Sequence, residues 1–120
     1  MDGGDLWARW RPEIERATVG GHHTIEAIEA DLASGRSLLW ATPDCCIIAQ
    51  FHRYPGGHFA CHLQWAAGSL EAILTDLDSI EAEAKAQGCT EMLIDGRMAW
   101  MRLLQGRGYA PWSVTIRKEL

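Results

Sequence analysis

The sequence predicts an α/β (α+β) domain with a mixed, mostly antiparallel central sheet and helices on both faces. Three observations predict it. The stretch "CCIIAQFHRY-PGG-HFACHLQW" alternates from residue to residue on both sides of a Pro-Gly-Gly turn, the mark of a long hairpin. After it, Leu70, Ile73, Leu74, Leu77, Ile80 and Ala84 form an apolar stripe at i, i+3, i+4, i+7 spacing, so a helix crosses over to the next strand, "TEMLID". Two further helical segments precede the first strand. Antiparallel strands followed by a helical crossover give a mixed sheet covered on both sides.

Taken in order, residues 5–18 place Leu6, Trp10, Ile14 and Ala17 at helical spacing, with Pro12 as a point where the helix can break. "GGHH" interrupts the chain. Thr24 caps a second helix with Ile25, Ile28 and Leu32 on its apolar face, and Gly35 stops it. "SLLWA" is a short strand and "TPD" a turn. The Pro55-Gly56-Gly57 loop pairs Tyr54 with His58 and so fixes the hairpin register. One face then collects Cys45, Ile47, Ala49, Phe51, Phe59, Cys61, Leu63 and Trp65 as core. The other carries Cys46, Ile48, Gln50, His52, Tyr54, His58, Ala60, His62 and Gln64, and is either wet or the wall of a cleft. Gly88 ends the long helix, "RMAWMRLLQG" is a short one, and "YAPWSVTIRKEL" is expected as a closing strand with Pro111 at an edge or bulge. Residues 1–120 read as one domain, with 1–35 helical and 36–120 forming the sheet core with its crossover helices.

Composition narrows the function classes. Of 120 residues, 48% are hydrophobic and 22% charged, the profile of a folded globular chain. No apolar run is long enough to span a bilayer, so no membrane role is expected. "MDGGDLWARW" has acids where a secretion signal needs a basic start, so the expected location is the cytoplasm. A net charge of −5 makes nucleic acid a poor partner. The charge is uneven: Glu71, Asp76, Asp78, Glu81 and Glu83 crowd one helix, while Arg97, Arg102, Arg107, Arg117 and Lys118 follow it. The four cysteines form no C-x-x-C pair and read as reduced, mostly buried thiols.

Other constellations are weak. His52, His58 and His62 share a hairpin face, but His58 and His62 lie roughly 13 Å apart by strand rise, too far to share one ion, so no metal site is expected. His22 and His23 read as an exposed connector. Cys61 falls on the apolar face, and Cys46 beside His62 lacks an orienting third group for nucleophilic catalysis. Among six tryptophans, Trp7, Trp10 and Trp112 are candidates to anchor a protein interface.

From Glu83 onward, "EAKAQGCTEMLIDGRMAWMRLLQGRGYAPWSVTIRKEL" resembles the C-terminal half of GNAT-fold acyltransferases, with a helix ending in "A-x-x-x-G-C", a strand, a short helix, "G-F/Y" and a final "K-x-L" strand. In element order the likeness covers residues 36–120, without the family's usual first strand. The chain also resembles small GNAT-like proteins encoded among tailed-phage structural genes, in size and general wording. The resemblance implies that the joint "AAGSLEA" corresponds to a Q/R-x-x-G-x-G/A turn whose backbone N–H groups hold the pyrophosphate of acetyl-CoA. Counted back from Gly88, that motif falls at Gly68 through Ile73, so Gly68 takes the Gln/Arg place and Glu71 a glycine place. Gly68, Ser69 and Leu70 are the cofactor-binding candidates in this frame, yet the needed glycines are absent, Glu71 would repel a pyrophosphate, and Ser69 is an N-cap. The family's general-acid tyrosine, four residues before the "G-F/Y" glycine, corresponds to Leu104, which has no proton to give. The matching Asn position falls near Arg97.

Two readings follow, beside a lesser third in which the hairpin is a small metal-binding module, which needs its strand to bend. In the first, the chain is a GNAT-fold protein without acyl transfer and without a cofactor, acting through contacts with protein partners, with itself or with phage structural proteins, in a virion or its assembly. In the second, it is a divergent acetyl-CoA-dependent N-acetyltransferase, with Tyr109 the nearest acid and His62 or His52 a base.

Overall fold

The hairpin lies at the centre of the molecule because its two strands carry the densest run of apolar side chains in the chain. The computed structural model describes residues 3–96 and 98–120. Helices α1 (Gly3–Thr18) and α2 (Ile25–Ala33) precede strands β1 (Leu38–Ala41), β2 (Cys45–Arg53) and β3 (Phe59–Gly68). Helix α3 (Leu70–Ala86), strand β4 (Glu91–Ile94) and helix α4 (Met98–Leu104) follow, with a 3-10 turn over Gln105–Arg107. The sheet order is β1-β2-β3-β4; β1 and β3 flank β2 antiparallel, and β4 joins β3 in parallel through the α3 crossover. The Tyr54 N–H donates to the His58 carbonyl at 2.9 Å, which is the register the Pro-Gly-Gly loop predicts.

Each face of the sheet carries its own core. On one, Cys45, Ile47, Ala49, Cys61 and Leu63 pack against Ile73, Leu77, Ile80 and Ala84 of α3 and Leu104 of α4. On the other, Cys46 and Ile48 pack against Trp10 and Ile14 of α1 and Ile25 and Ile28 of α2. The face expected to be mixed is therefore dry where α1 and α2 cover it and wet at the hairpin tip, where His52, Tyr54 and His58 are exposed. One assignment changes. Ile48 pairs with Trp65 but Ala49 pairs with Leu63, so Gln64 is an extra, bulged residue. Past the bulge the alternation is inverted, and Trp65 joins the α1–α2 core instead of the α3 core.

Local signals hold at most ends. Thr24 Oγ1 accepts the Ala27 N–H, and Gly35 has φ +78° just past the end of α2. After α3, Gly88 at φ +93° donates to Lys85 O, and Cys89 donates to Ala84 O at 2.9 Å, a Schellman ending. Pro12 does not break α1, which runs through it; the carbonyl the ring leaves unpaired belongs to Ala8, on the exposed side where water serves.

The closing strand expected over residues 109–120 is not formed. Tyr109 packs against the α3 core, but residues 110–120 are exposed and pair with no strand among the described residues. Among the described residues the sheet thus has two open edges, β1 and β4. The interface role expected for Trp7 and Trp10 changes too. Trp10 is buried with its Nε1 donating to Thr42 O at 2.7 Å, and Trp7 is half-buried on Glu29 at 3.0 Å. Trp112 alone of the three stands in solvent.

Candidate functional site

The joint between β3 and α3 is built by one glycine and one serine. Gly68 has φ +109°, a conformation that side chains rarely adopt. A β-carbon there would stand 2.4 Å from Asp44 O, 2.7 Å from Cys45 Cα and 2.9 Å from Trp10 Cη2. The glycine is required because the start of β2 and the Trp10 indole close over it. Next, the Ser69 N–H donates to Asp44 O at 3.0 Å, tying the joint to the same segment. Ser69 Oγ accepts from Ala72 N at 3.3 Å, and Ser69 O accepts from Ile73 N, so the serine is the N-cap of α3. Among the described residues this leaves the N–H groups of Leu70 and Glu71 open at the helix start. The exposed Glu71 carboxylate sits in that first turn, where it complements the helix dipole.

The second feature is where β3 and β4 part. They pair only over Ala60–Leu63 and Glu91–Ile94, and the Gln64 bulge begins where that pairing ends. Residues 64–68 of β3 run on without β4 paired beside them. Near the end of this pairing, His62 Nε2 lies 2.7 Å from Asp95 Oδ2, with the His62 side chain 23% exposed and Asp95 81%. Asp95 had no visible role in the sequence. Parallel pairing sets Leu93 opposite His62, so Asp95 becomes its diagonal neighbour only once the register is known.

Tyr109 is elsewhere. Its hydroxyl donates to Glu81 Oε2 at 3.1 Å, and its ring packs on the α3 core. Burial foremost, then the Glu81 charge, pushes the phenol well above its usual range. Cys61 and Leu63 point to that same α3 side, so His62 between them points to the opposite face. The two residues expected as acid and base are thus separated by the sheet. Leu104, at the place the family's tyrosine takes, is buried at 4% exposure.

The remaining candidates have structural partners. Arg107 Nη1 binds Asp78 at 2.8 Å and Leu74 O at 3.3 Å, while Arg97 lies outside the described residues. His52 stacks on Tyr54, His58 Nδ1 stands 3.9 Å from Glu91, and His23 meets the Trp65 ring edge-on. Among the described residues no three His, Cys, Asp or Glu side chains gather as a metal-binding group. Burial pushes the thiols of Cys46 and Cys61 up to about 12 and Cys45 to about 11, away from nucleophilic reactivity. A shallow hollow between α1, α2 and β1, lined by Trp7, Glu29, Leu32 and Leu39, lies apart from the joint and from Tyr109.

No protein-family model matches the sequence, and no curated protein matches it. Solved structures do. An acetyltransferase from Trypanosoma brucei superposes with a TM-score of 0.66 at 13% identity, covering 100% of this chain and 96% of that one. A predicted acetyltransferase from Clostridium acetobutylicum, with acetyl-CoA, gives 0.69 at 10% identity over 99% and 92% of the two chains. Glucosamine-6-phosphate N-acetyltransferase from Arabidopsis thaliana gives 0.66 at 12% identity over 99% and 94%. At such identities the likeness is one of fold, and it agrees with the mixed sheet and its helical layers: the chain has the GNAT acyltransferase fold.

Proposed function

We propose that this chain is a GNAT-fold protein that works through protein contacts and not by acyl transfer, as a component of a phage particle or of its assembly. The joint carries the first half of this reading. Its one glycine is occupied by Asp44, Cys45 and Trp10, its serine fills one N–H of the helix, and Glu71 puts a negative charge where a pyrophosphate would sit. The phage setting is supported by the resemblance in size and wording to GNAT-like proteins among tailed-phage structural genes. Isothermal titration with acetyl-CoA tests the first half, with no stoichiometric binding expected and tight one-to-one binding contradicting it. Mass spectrometry of purified particles, from a host in which the gene is expressed, tests the second. Presence of the chain in the particle is expected, and its absence from both particles and assembly intermediates contradicts the setting.

A second reading, a divergent acetyl-CoA-dependent N-acetyltransferase, is favoured by one observation: the His62–Asp95 pair near the end of the β3–β4 pairing. There Asp95 would orient the imidazole, and His62 would take the proton of an amine as its nitrogen attacks the thioester carbonyl, the new N–C bond replacing the C–S bond and the thiolate leaving. Tyr109 would have to release Glu81 before protonating the departing thiolate, and it stands on the other face. Loss of measured acetyl transfer in His62→Ala, with retained fold, would support this reading.

A further inference from the structure

Residues 110–120 are the one long stretch of apolar alternation that the fold leaves unused. Trp112, Val114 and Ile116 recur at every second position, and Leu120 has the same parity. Their exposures are 86%, 85%, 91% and 113%. A half-buried strand has this pattern, and a solvated one has no use for it. No strand among the described residues pairs with the segment, and the hydrogen bond recorded within it, Arg117 Nη2 to Glu119 Oε1, is internal. The sheet has a matching vacancy. β4 pairs with β3 on one side, and among the described residues no strand lies on its other side. Its Met92, Leu93 and Ile94 are only half-buried, and neither proline nor lysine blunts that edge.

The segment starts next to this edge, yet does not turn back onto it. Tyr109 is fixed by its hydroxyl on Glu81 and by its N–H on Leu104 O at 3.3 Å. Pro111 then locks its own φ and holds Ala110 extended, so the chain leaves the body along a stiff path. A stiff exit that carries a strand past its own vacancy is the arrangement from which two copies exchange identical elements.

We infer that the chain forms a two-fold dimer in which residues 111–120 of each copy add as an antiparallel strand to the free edge of β4 in the other. Laid antiparallel, the basic end at Arg117 and Lys118 falls beside Glu91 at the start of β4, which supplies charge complementarity as well as backbone pairing. β4 offers four residues, Glu91–Ile94, so with Arg117 beside Glu91 the backbone pairing falls to Val114–Arg117, twice over in the two-fold dimer. This inference goes beyond the proposed function and holds whether or not acetyl-CoA binds, so titration with the cofactor and the test below fail separately.

The test is sedimentation of the full chain, followed by isotope-filtered NOE spectra on a re-equilibrated mixture of labelled and unlabelled copies. The expected result is a species of twice the 13.3 kDa chain mass with intermolecular contacts from Val114 and Ile116 to β4. A Val114→Lys/Ile116→Lys variant should sediment as a folded monomer whose far-ultraviolet spectrum loses only the strand signal of the added segment and whose thermal unfolding stays cooperative, since these side chains are 85% and 91% exposed in their own copy. A monomeric wild-type chain overturns the proposal, whether its segment folds onto its own edge or stays free for another protein. So does a dimer whose contacts from the segment to β4 lie within one copy, or one that persists unchanged in the double variant.

Discussion

Gly68 and Trp10 are in such close contact that a single added β-carbon on the glycine would stand 2.9 Å from Trp10 Cη2. Helix α1 thereby closes over the joint where related folds are expected to present phosphate-binding glycines. The relationship makes Gly68 a structural residue. Gly68→Ala combines a disfavoured φ with two backbone clashes, and should cost about 3 kcal/mol or more in guanidinium unfolding. Gly57→Ala is the control, because its φ of +95° is also unusual but nothing lies within 4 Å; about 1–2 kcal/mol is expected there. Equal costs at the two sites would show that the Trp10 contact does not matter.

Ser69→Ala removes the hydroxyl that accepts the Ala72 N–H and should cost about 1 kcal/mol. It frees one donor at the start of α3 but leaves Glu71 and supplies no glycine. Acetyl-CoA affinity should therefore stay undetectable by titration, and a gain of binding would mean the cap was the main obstacle.

How much of this was legible in the sequence depends on whether a feature is local. The Ser69 cap, the Gly88 ending of α3 and the Tyr54–His58 register come from residues a few positions apart, and each was readable. Trp65 was not, because a bulge at Gln64 inverts the alternation and leaves no local mark. Nor was Asp95, which meets His62 only through the parallel register of β4. The glycine at 68 was visible, but its reason was not: φ and the approach of Trp10 from 58 positions away belong to the tertiary fold. Residues 109–120 carry a strand's alternation, yet no strand forms there among the described residues, because local alternation does not say whether a neighbouring strand pairs with it.

Tyr109→Phe tests the acid assignment. The variant loses the bond to Glu81 Oε2, which should lower stability by about 1 kcal/mol in denaturant unfolding. If any acetyl transfer is detected in the wild-type chain, the variant should match its rate, because the hydroxyl faces away from His62. A strong fall in turnover without a fall in stability would restore the tyrosine as an acid.

Alkaline pH should unfold the chain through its buried thiols. Cys46 and Cys61 are raised from an ordinary value of 9.0 to about 12, so above pH 9 the unfolded chain releases thiol protons that the fold retains. Stability is full below that value and falls as pH climbs from about 9 towards about 12. Calorimetric Tm under reducing conditions should drop across this window, and less so in Cys46→Ala. A flat profile would contradict the burial described for these thiols.

The central claim is that the β3–α3 joint is closed against a pyrophosphate, and direct titration of the full chain with acetyl-CoA tests it most directly. No saturable heat at millimolar ligand and no shift in Tm are expected. Stoichiometric binding that is strengthened by Glu71→Lys, or altered by substitution at Ser69, would contradict it and would place the cofactor at this turn.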